Sequence, residues 1–410
     1  MKPSVGYLAL VRDNPAYRRL WLGEVVSYAG DWFGTIALFA AVGELTDSAL
    51  AVTGVVVCQT LPHFLAMPLT GPLVDRLDRR RLLIGSDLLR VVAVLGQVAA
   101  HLVGSLVLLY LALLAQVLLA AVFIPARAAA LPAITTDEQL PSAVALSGGT
   151  WSVMLAVGAA LGGLTTAVVG IDGALLANGL TFAASAALLA GLPDLPPEGD
   201  DGTDRSFAAG LGALARDPYL ALVASSKAVM AVCGASAWVL PLYGDGAYPL
   251  AGPLGLGALY AARGAGAAFG SLGMRRWTGD TPPVLRAAFA PAFVVLAVSQ
   301  AGIALAPTLG WCAAGFLVAG AASALIWVFG GTLLQLAAPP GFRGRVFAVE
   351  SGVLTLGISL TSALAGALVD HAGWTPDTVT WVGTVGCLVV GLPFAAAVSV
   401  LGTRRDAAPA

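Results

Sequence analysis

Charge is scarce in this chain. Asp, Glu, Lys and Arg make up 11% of its 410 residues, against about 25% in soluble globular domains. So little charge cannot coat a water-soluble fold of this length. The net charge of -2 also lacks the basic footprint of a nucleic-acid binder. The four cysteines, Cys58, Cys233, Cys312 and Cys387, lie singly inside apolar stretches. With neither paired nor metal-ligand spacing, they imply no disulfide framework and no metal centre, and they read as small packing residues. There is no Gly-x-x-x-x-Gly-Lys-Ser/Thr loop, so ATP hydrolysis within the chain is not expected, and no cofactor is. The 50 glycines follow no three-residue period, which removes a collagen-like reading.

What the chain has instead is apolar length. Hydrophobic residues make up 58% of it and the mean hydropathy is +0.87. A window of about twenty residues, enough to cross roughly 30 Å of hydrocarbon, finds apolar segments near 18–42, 50–74, 82–103, 105–127, 142–168 and 171–192. A second set follows near 218–243, 252–277, 283–306, 309–336, 346–369 and 378–401. The first is not a cleaved signal, being too long and carrying Glu24 and Asp31. Small pairs at four-residue spacing, Gly158/Gly162 and Gly266/Gly270, are what close helix contacts in lipid use. The chain is expected to be an all-α polytopic membrane protein of twelve transmembrane helices.

Basic residues set the orientation, because short loops rich in Lys and Arg stay cytoplasmic. All of them except Arg90, Lys227 and Arg263 fall before the first span or in loops and ends of the same parity, including Arg76, Arg79, Arg80, Arg81, Arg127, Arg343 and Arg345. The opposite loops show Glu44, Asp47, Asp172, Asp245, Asp370, His371 and Asp377. Both termini are therefore expected in the cytoplasm. The Pro- and Asp-rich stretch from Pro193 to Arg205 cannot continue a helix and suits a solvated linker. Residues 1–192 then form an N-terminal six-helix bundle, 193–217 a cytoplasmic linker and 218–410 a C-terminal six-helix bundle. The halves echo one another: Pro125-Ala126-Arg127 parallels Pro340-Gly341-Phe342-Arg343, and Gly71 to Arg81 has a degenerate counterpart in Gly270 to Arg276. Two six-helix pseudo-repeats are what a transporter of two rocking halves requires.

The loop Gly71, Asp75, Arg76, Asp78, Arg79, Arg80 resembles the motif between helices two and three of the major facilitator superfamily, with Asp78 where glycine is commoner. Leu20-Trp21-Leu22-Gly23, Gly30-Asp31-Trp32, Asp87-Leu88-Leu89-Arg90 and Arg343-Gly344-Arg345-Val346-Phe347 are similar to the branch of enterobactin-type siderophore exporters and macrolide efflux pumps. The resemblance implies a prokaryotic cell-membrane transporter that exports a small amphipathic organic molecule, with protons as coupling ion and the lipid bilayer as surroundings; a monomer is expected. It also implies a conformational latch at Gly71, Asp75, Arg76 and Arg79, in which a carboxylate at a helix end accepts from the N–H groups of a neighbouring helix. Positive-inside anchoring alone would account for Arg80 and Arg81. Gly158, Gly162 and Gly163 are similar to the antiporter motif of exporters, but Ala159 replaces its proline, and an ordinary small-residue contact is the other reading. Import or facilitated movement of a small metabolite or lipid is the alternative function.

Charged groups within spans cost roughly 2.5–3.5 kcal/mol each at a helix centre, so they must face a cavity or a partner. Asp31 sits mid-helix with Glu24 two turns earlier on the same face. Asp31 either carries the coupling proton or contacts substrate, or it is a permanent partner of Arg90. Asp87 and Arg90, three apart, can pair. Lys227 either attracts an anionic substrate or pairs with Glu350, and Arg263 stays open. Tyr28 and Trp32 flank Asp31 and are candidates for an aromatic substrate wall. Gly234-Ala235-Ser236-Ala237 resembles the serine motif of intramembrane proteases, yet none of the three histidines, His63, His101 and His371, sits in a matching context. A serine nucleophile needs a base, so a protease is the remote reading and no enzyme is expected.

Overall fold

In hydrocarbon no water is present to pair backbone N–H and C=O groups, and a helix pairs them within its own segment. The computed structural model describes residues 6–196, 207–244, 252–273, 281–339 and 343–407, and they are helical with no strand among them. In chain order the elements are α1 (Tyr7–Asp13), α2 (Pro15–Leu45), α3 (Ala49–Arg76), α4 (Arg79–Leu102), α5 (Leu106–Ile134), α6 (Leu140–Leu189), α7 (Phe207–Arg216), α8 (Pro218–Ala224) and α9 (Ser226–Cys233). They continue as α10 (Ser236–Tyr243), α11 (Pro253–Gly273), α12 (Pro282–Ala287), α13 (Phe289–Ala304), α14 (Leu309–Ala337), α15 (Arg343–Ala372), α16 (Pro376–Gly386), a π-helical turn (Cys387–Gly391) and α17 (Leu392–Ala407).

Among the described residues, ten helices are long and apolar enough to cross a membrane. One of these is α6, whose 50 residues run through a kink at Gly170, where φ is 77°. Only glycine holds that left-handed backbone cheaply, so the expected spans 142–168 and 171–192 meet there. With α11 on the expected span 252–277, the helices are consistent with the twelve expected. Two segments are more broken than hydropathy alone implied: 218–243 is α8, α9 and α10 in succession, and 378–401 contains the π turn. The boundary expected at Arg127 was also short, because α5 carries Pro125 and Pro132 within it and runs on to Ile134.

Local signals start the helices. Asn14 accepts from Tyr17 N–H with Pro15 at the first position of α2, Asp78 accepts from Arg81 N–H at α4, and Ser105, Thr308 and Thr375 cap α5, α14 and α16 in the same manner. On α4 the usual burial is inverted. Leu89 and Val92 are 54% and 63% exposed while Asp87 and Arg90 are 0% and 3% exposed. Apolar residues outward and charges inward is the pattern of a helix whose outer solvent is lipid.

The chain packs as two units. The first holds the described residues within Met1–Asp47, Leu61–Asp201 and Gly252–Ala261; the second holds those within Ser48–Thr60, Gly202–Ala251 and Ala262–Ala410. Each contains the opening turns of a helix that continues in the other, α11 in the first and α3 in the second. In the second unit, Asp370 near the end of α15 takes the start of α3. Its carboxylate accepts from Ser48 Oγ at 2.6 Å, Ala49 N–H at 2.8 Å and Leu50 N–H at 3.0 Å, and Gly366 lets Leu50 and Thr53 close in where a Cβ would collide. Losing an N-cap acceptor costs about 0.5–2 kcal/mol. For Asp370→Ala we expect deuterium exchange at Ala49 and Leu50 to accelerate about 5–30-fold, the factor for 1–2 kcal/mol; unchanged exchange would show that Asp370 does not hold this helix start.

Candidate functional site

The first unit carries its charges on the inward faces of α2, α4, α5 and α6. Helix α2 approaches α6 closely because its contact positions are glycine. A Cβ on Gly30 would lie 1.8 Å from Thr181 Oγ1, and one on Gly34 would lie 2.3 Å from Asn178 Nδ2. Two charge clusters result, centred on Glu24 and Asp31 about two helical turns apart along α2.

The first cluster joins two carboxylates to one guanidinium. Arg90 Nη2 donates to Asp31 Oδ1 at 2.7 Å, and Arg90 Nη1 lies 3.3 Å from both Asp87 Oδ1 and Ser27 Oγ. The guanidinium plane is also held against Phe182, 3.9 Å from its ring centre, where stacking adds a further favourable contact. Asp87 is fully buried, while a third of the Asp31 side chain is accessible. Gln116 on α5 reaches Asp31 Oδ1 at 3.5 Å and accepts from Gln97 Nε2 at 2.7 Å. Counting formal charges, two carboxylates and one arginine leave this cluster one negative charge in excess.

The second cluster is balanced. Glu24, buried, pairs with Arg127 of α5 and accepts from Ser147 Oγ at 2.9 Å on α6. Thus Glu24 and Asp31 share a face of α2 as expected, but each has its own cation. One of the two readings of Asp31 made it a partner of Arg90, and the pair is present.

The remaining sequence candidates are distributed as follows. Tyr28 is half-buried, and Trp32 packs on Tyr260 of α11 with ring centres 5.6 Å apart. A Cβ on Gly158 would meet Trp32 Cβ at 3.0 Å, one on Gly162 the backbone of Trp32 and Phe33 at 3.0 Å, and one on Gly163 the Pro253 carbonyl at 2.6 Å. The three glycines therefore bring α6 against α2 and against the start of α11. In the second unit Lys227 is paired with Glu350 at 3.0 Å, its ammonium 4.6 Å from the Trp327 ring centre; pairing was one of the two readings. Arg263 is half-buried on α11. In the loop motif, Arg76 is exposed and Arg79 is buried, its Nη1 donating to the Pro196 carbonyl at 3.3 Å. Asp78 both caps α4 and accepts from Leu195 N–H at 2.9 Å, a use for the carboxylate that glycine could not serve. Gly71 and Asp75 lie within α3, and the burial of Gly71 and the side chain of Asp75 lie outside what is described. Ser236 is buried at the start of α10, and its N–H donates to Gln300 Oε1 at 3.1 Å.

Sequence reading missed Arg127, Ser147, Gln97, His101 and Asp370 as members of these arrangements. Arg127 was assigned to a loop because the helix was ended there. Gln97 and His101 did carry a signal, since 87, 90, 97 and 101 recur at helical spacing on α4.

An α-helical bundle with charge buried inside and aliphatic residues outside defines a multi-pass membrane protein. The family model described as transmembrane secretion effector, of MFS type, matches residues 7–401. The chain belongs to that family of major facilitator transporters, and it is not an enzyme. Among its relatives, an uncharacterised MFS-type transporter of Bacillus subtilis, YfiS, is 25% identical over 399 residues, covering 93% of this chain and 92% of the relative. The enterobactin exporter EntS of Escherichia coli is 26% identical over 392 residues, covering 94% and 92%. Among solved structures, a bacterial homolog of the human lysosomal transporter Spinster superposes with a TM-score of 0.73 at 14% identity over 100% of both chains. A nucleoside transporter, NupG, gives 0.72 at 12% identity, covering 94% of this chain and 99% of that one; these two show the fold.

Proposed function

We propose that the chain is a proton-coupled exporter of a small amphipathic organic molecule, such as a drug, antibiotic or siderophore, in a prokaryotic inner membrane. The observation that carries this reading is the cluster in which Asp31 and Asp87 share Arg90. An uncompensated charge is costly at membrane depth, and one proton on Asp31, the accessible member, removes it. Protonation then leaves Arg90 to Asp87 alone, so the proton changes which helix holds the arginine. That is a two-state element of the kind coupling needs.

Export as the direction, and the siderophore-like substrate class, are supported by the relatives named as enterobactin exporters. The transported molecule passes by alternating access of two halves, 1–192 and 218–410, joined by the linker 193–217, with both termini cytoplasmic as the basic loops require. Gly71, Asp75, Arg76 and Arg79 form the cytoplasmic latch, and Tyr28 and Trp32, on either side of Asp31, face the substrate. One charge moving down 100 mV releases roughly 2.3 kcal/mol, enough for about a fiftyfold gradient of a neutral molecule.

The test is energised uptake of a labelled substrate panel into inside-out vesicles, with and without an imposed proton gradient. Gradient-driven accumulation is expected, with Asp31→Asn losing at least tenfold of it at normal protein levels. Accumulation that ignores the gradient, or an Asp31→Asn variant that keeps it, would make the chain a facilitator or place the coupling elsewhere.

A further inference from the structure

One face of α4 carries a polar line that the charge clusters alone do not explain. Asp87, Arg90, Gln97 and His101 fall within about 80° of arc at 100° per residue, and from first to last they climb about 21 Å at 1.5 Å per residue. At the end of α4 remote from Arg79–Arg81, His101 is 13% exposed and is held between two acids. Its Nδ1 lies 2.8 Å from Asp172 Oδ1 on α6, and its Nε2 lies 3.3 Å from Glu44 Oε2 at the end of α2. Below it, Gln97 is fully buried and binds Gln116, which reaches Asp31. The other atom of that amide, Gln97 Oε1, is buried with no hydrogen-bond partner. A buried acceptor left open among polar groups is one that a water pairs where there is room for it.

We propose that the coupling proton reaches Asp31 along this face of α4, entering at His101 from the side of the membrane opposite the basic loops. The inference rests on the proton-coupled reading above. Glu44 and Asp172 hold the imidazole and collect protons at the surface. His101 takes a proton on one ring nitrogen and releases it from a ring nitrogen to water. Gln97 and Gln116 pass no proton themselves; they orient the water that does. The step ends when the Asp31 carboxylate becomes a carboxylic acid. The charged groups facing the line are Asp31 and Glu44 from α2, Asp172 from α6, and Asp87 and Arg90 from α4 itself; on α5 Arg127 is committed to Glu24.

The test needs no substrate. The full-length protein is reconstituted in liposomes with its orientation determined from an accessible terminal tag, and pH is stepped on one face with an impermeant buffer. The infrared band of protonated carboxyls reports the cluster, assigned through Asp31→Asn and Asp87→Asn. The band is expected to follow a step on the His101 face, with its rate falling at least tenfold in His101→Phe and in Gln97→Leu. Leu95→Ala, on the lipid face of the same helix, keeps the wild-type rate, which separates the path from general damage to α4. A cluster that responds only from the basic-loop face, or responds equally fast in both variants, overturns the path and leaves proton coupling standing. A cluster that responds from neither face overturns both.

Discussion

Replacing Arg90 with methionine is expected to be the most damaging single change in the first unit. It keeps the volume and removes the cation that two carboxylates share, Asp31 at 2.7 Å and Asp87 at 3.3 Å. Removing one partner of a buried pair costs about 3–5 kcal/mol because the other charge is left uncompensated, and here two are left. The expected result is loss of most folded protein from the membrane, read by size-exclusion in detergent and by the melting temperature. Neutralising the acids supplies the control. Arg90→Met combined with Asp31→Asn and Asp87→Asn is expected to recover folded protein but not gradient-driven transport. If the single variant folds normally, the cluster is not the charge-paired centre of this unit. If the triple variant transports normally, the cluster does not carry the coupling.

The second large effect is steric and belongs to the second unit. A Cβ on Gly266 of α11 would stand 1.8 Å from the Leu317 carbonyl oxygen of α14, one on Gly270 2.4 Å from that of Ala321, and one on Gly320 2.1 Å from that of Arg263. The obstacles are backbone atoms, which cannot swing away as a side chain does, so the two helices must separate. Overpacking in a well-packed interior costs about 1–3 kcal/mol and sometimes more. Separation also forfeits contacts along the whole seam, since helices in lipid are held chiefly by close packing. Gly266→Val is expected to lower the melting temperature markedly and to reduce the amount of purified monodisperse protein. Gly302→Ala, where nothing stands within 4 Å, is expected to be near neutral. Equal melting temperatures for the two variants would refute the close approach of α11 and α14.

Much of this was legible along the chain. The spans follow from hydropathy, and the superfamily from the Gly71–Arg80 loop. Gly266 and Gly270 could be read as a contact pair from their spacing, although not which helix they meet. Asp31 and Glu24 could be placed on one face of α2. Arg90 as partner of Asp31 was one of two readings, and the pair is present; the cation of Glu24 could not be assigned, because Arg127 lies 103 residues from it and a helix end misjudged by seven residues moved it into a loop. Asp370, read as a loop acid marking one side of the membrane, turned out to hold the start of α3, 320 residues away.

By itself, then, the sequence determined that this protein lives in a bilayer as a helical transporter. In lipid each segment must satisfy its own backbone, so length, apolarity and caps decide it locally. Which charge meets which was decided only by the tertiary structure. Partners on different helices are chosen by where the backbones can approach, at Gly30 and Gly34 beside α6 and at Gly366 beside α3. Those approaches leave Arg90 shared between two acids; its spacing from Asp87 on α4 was legible, but its contact with Asp31 on α2 depends on how the helices pack.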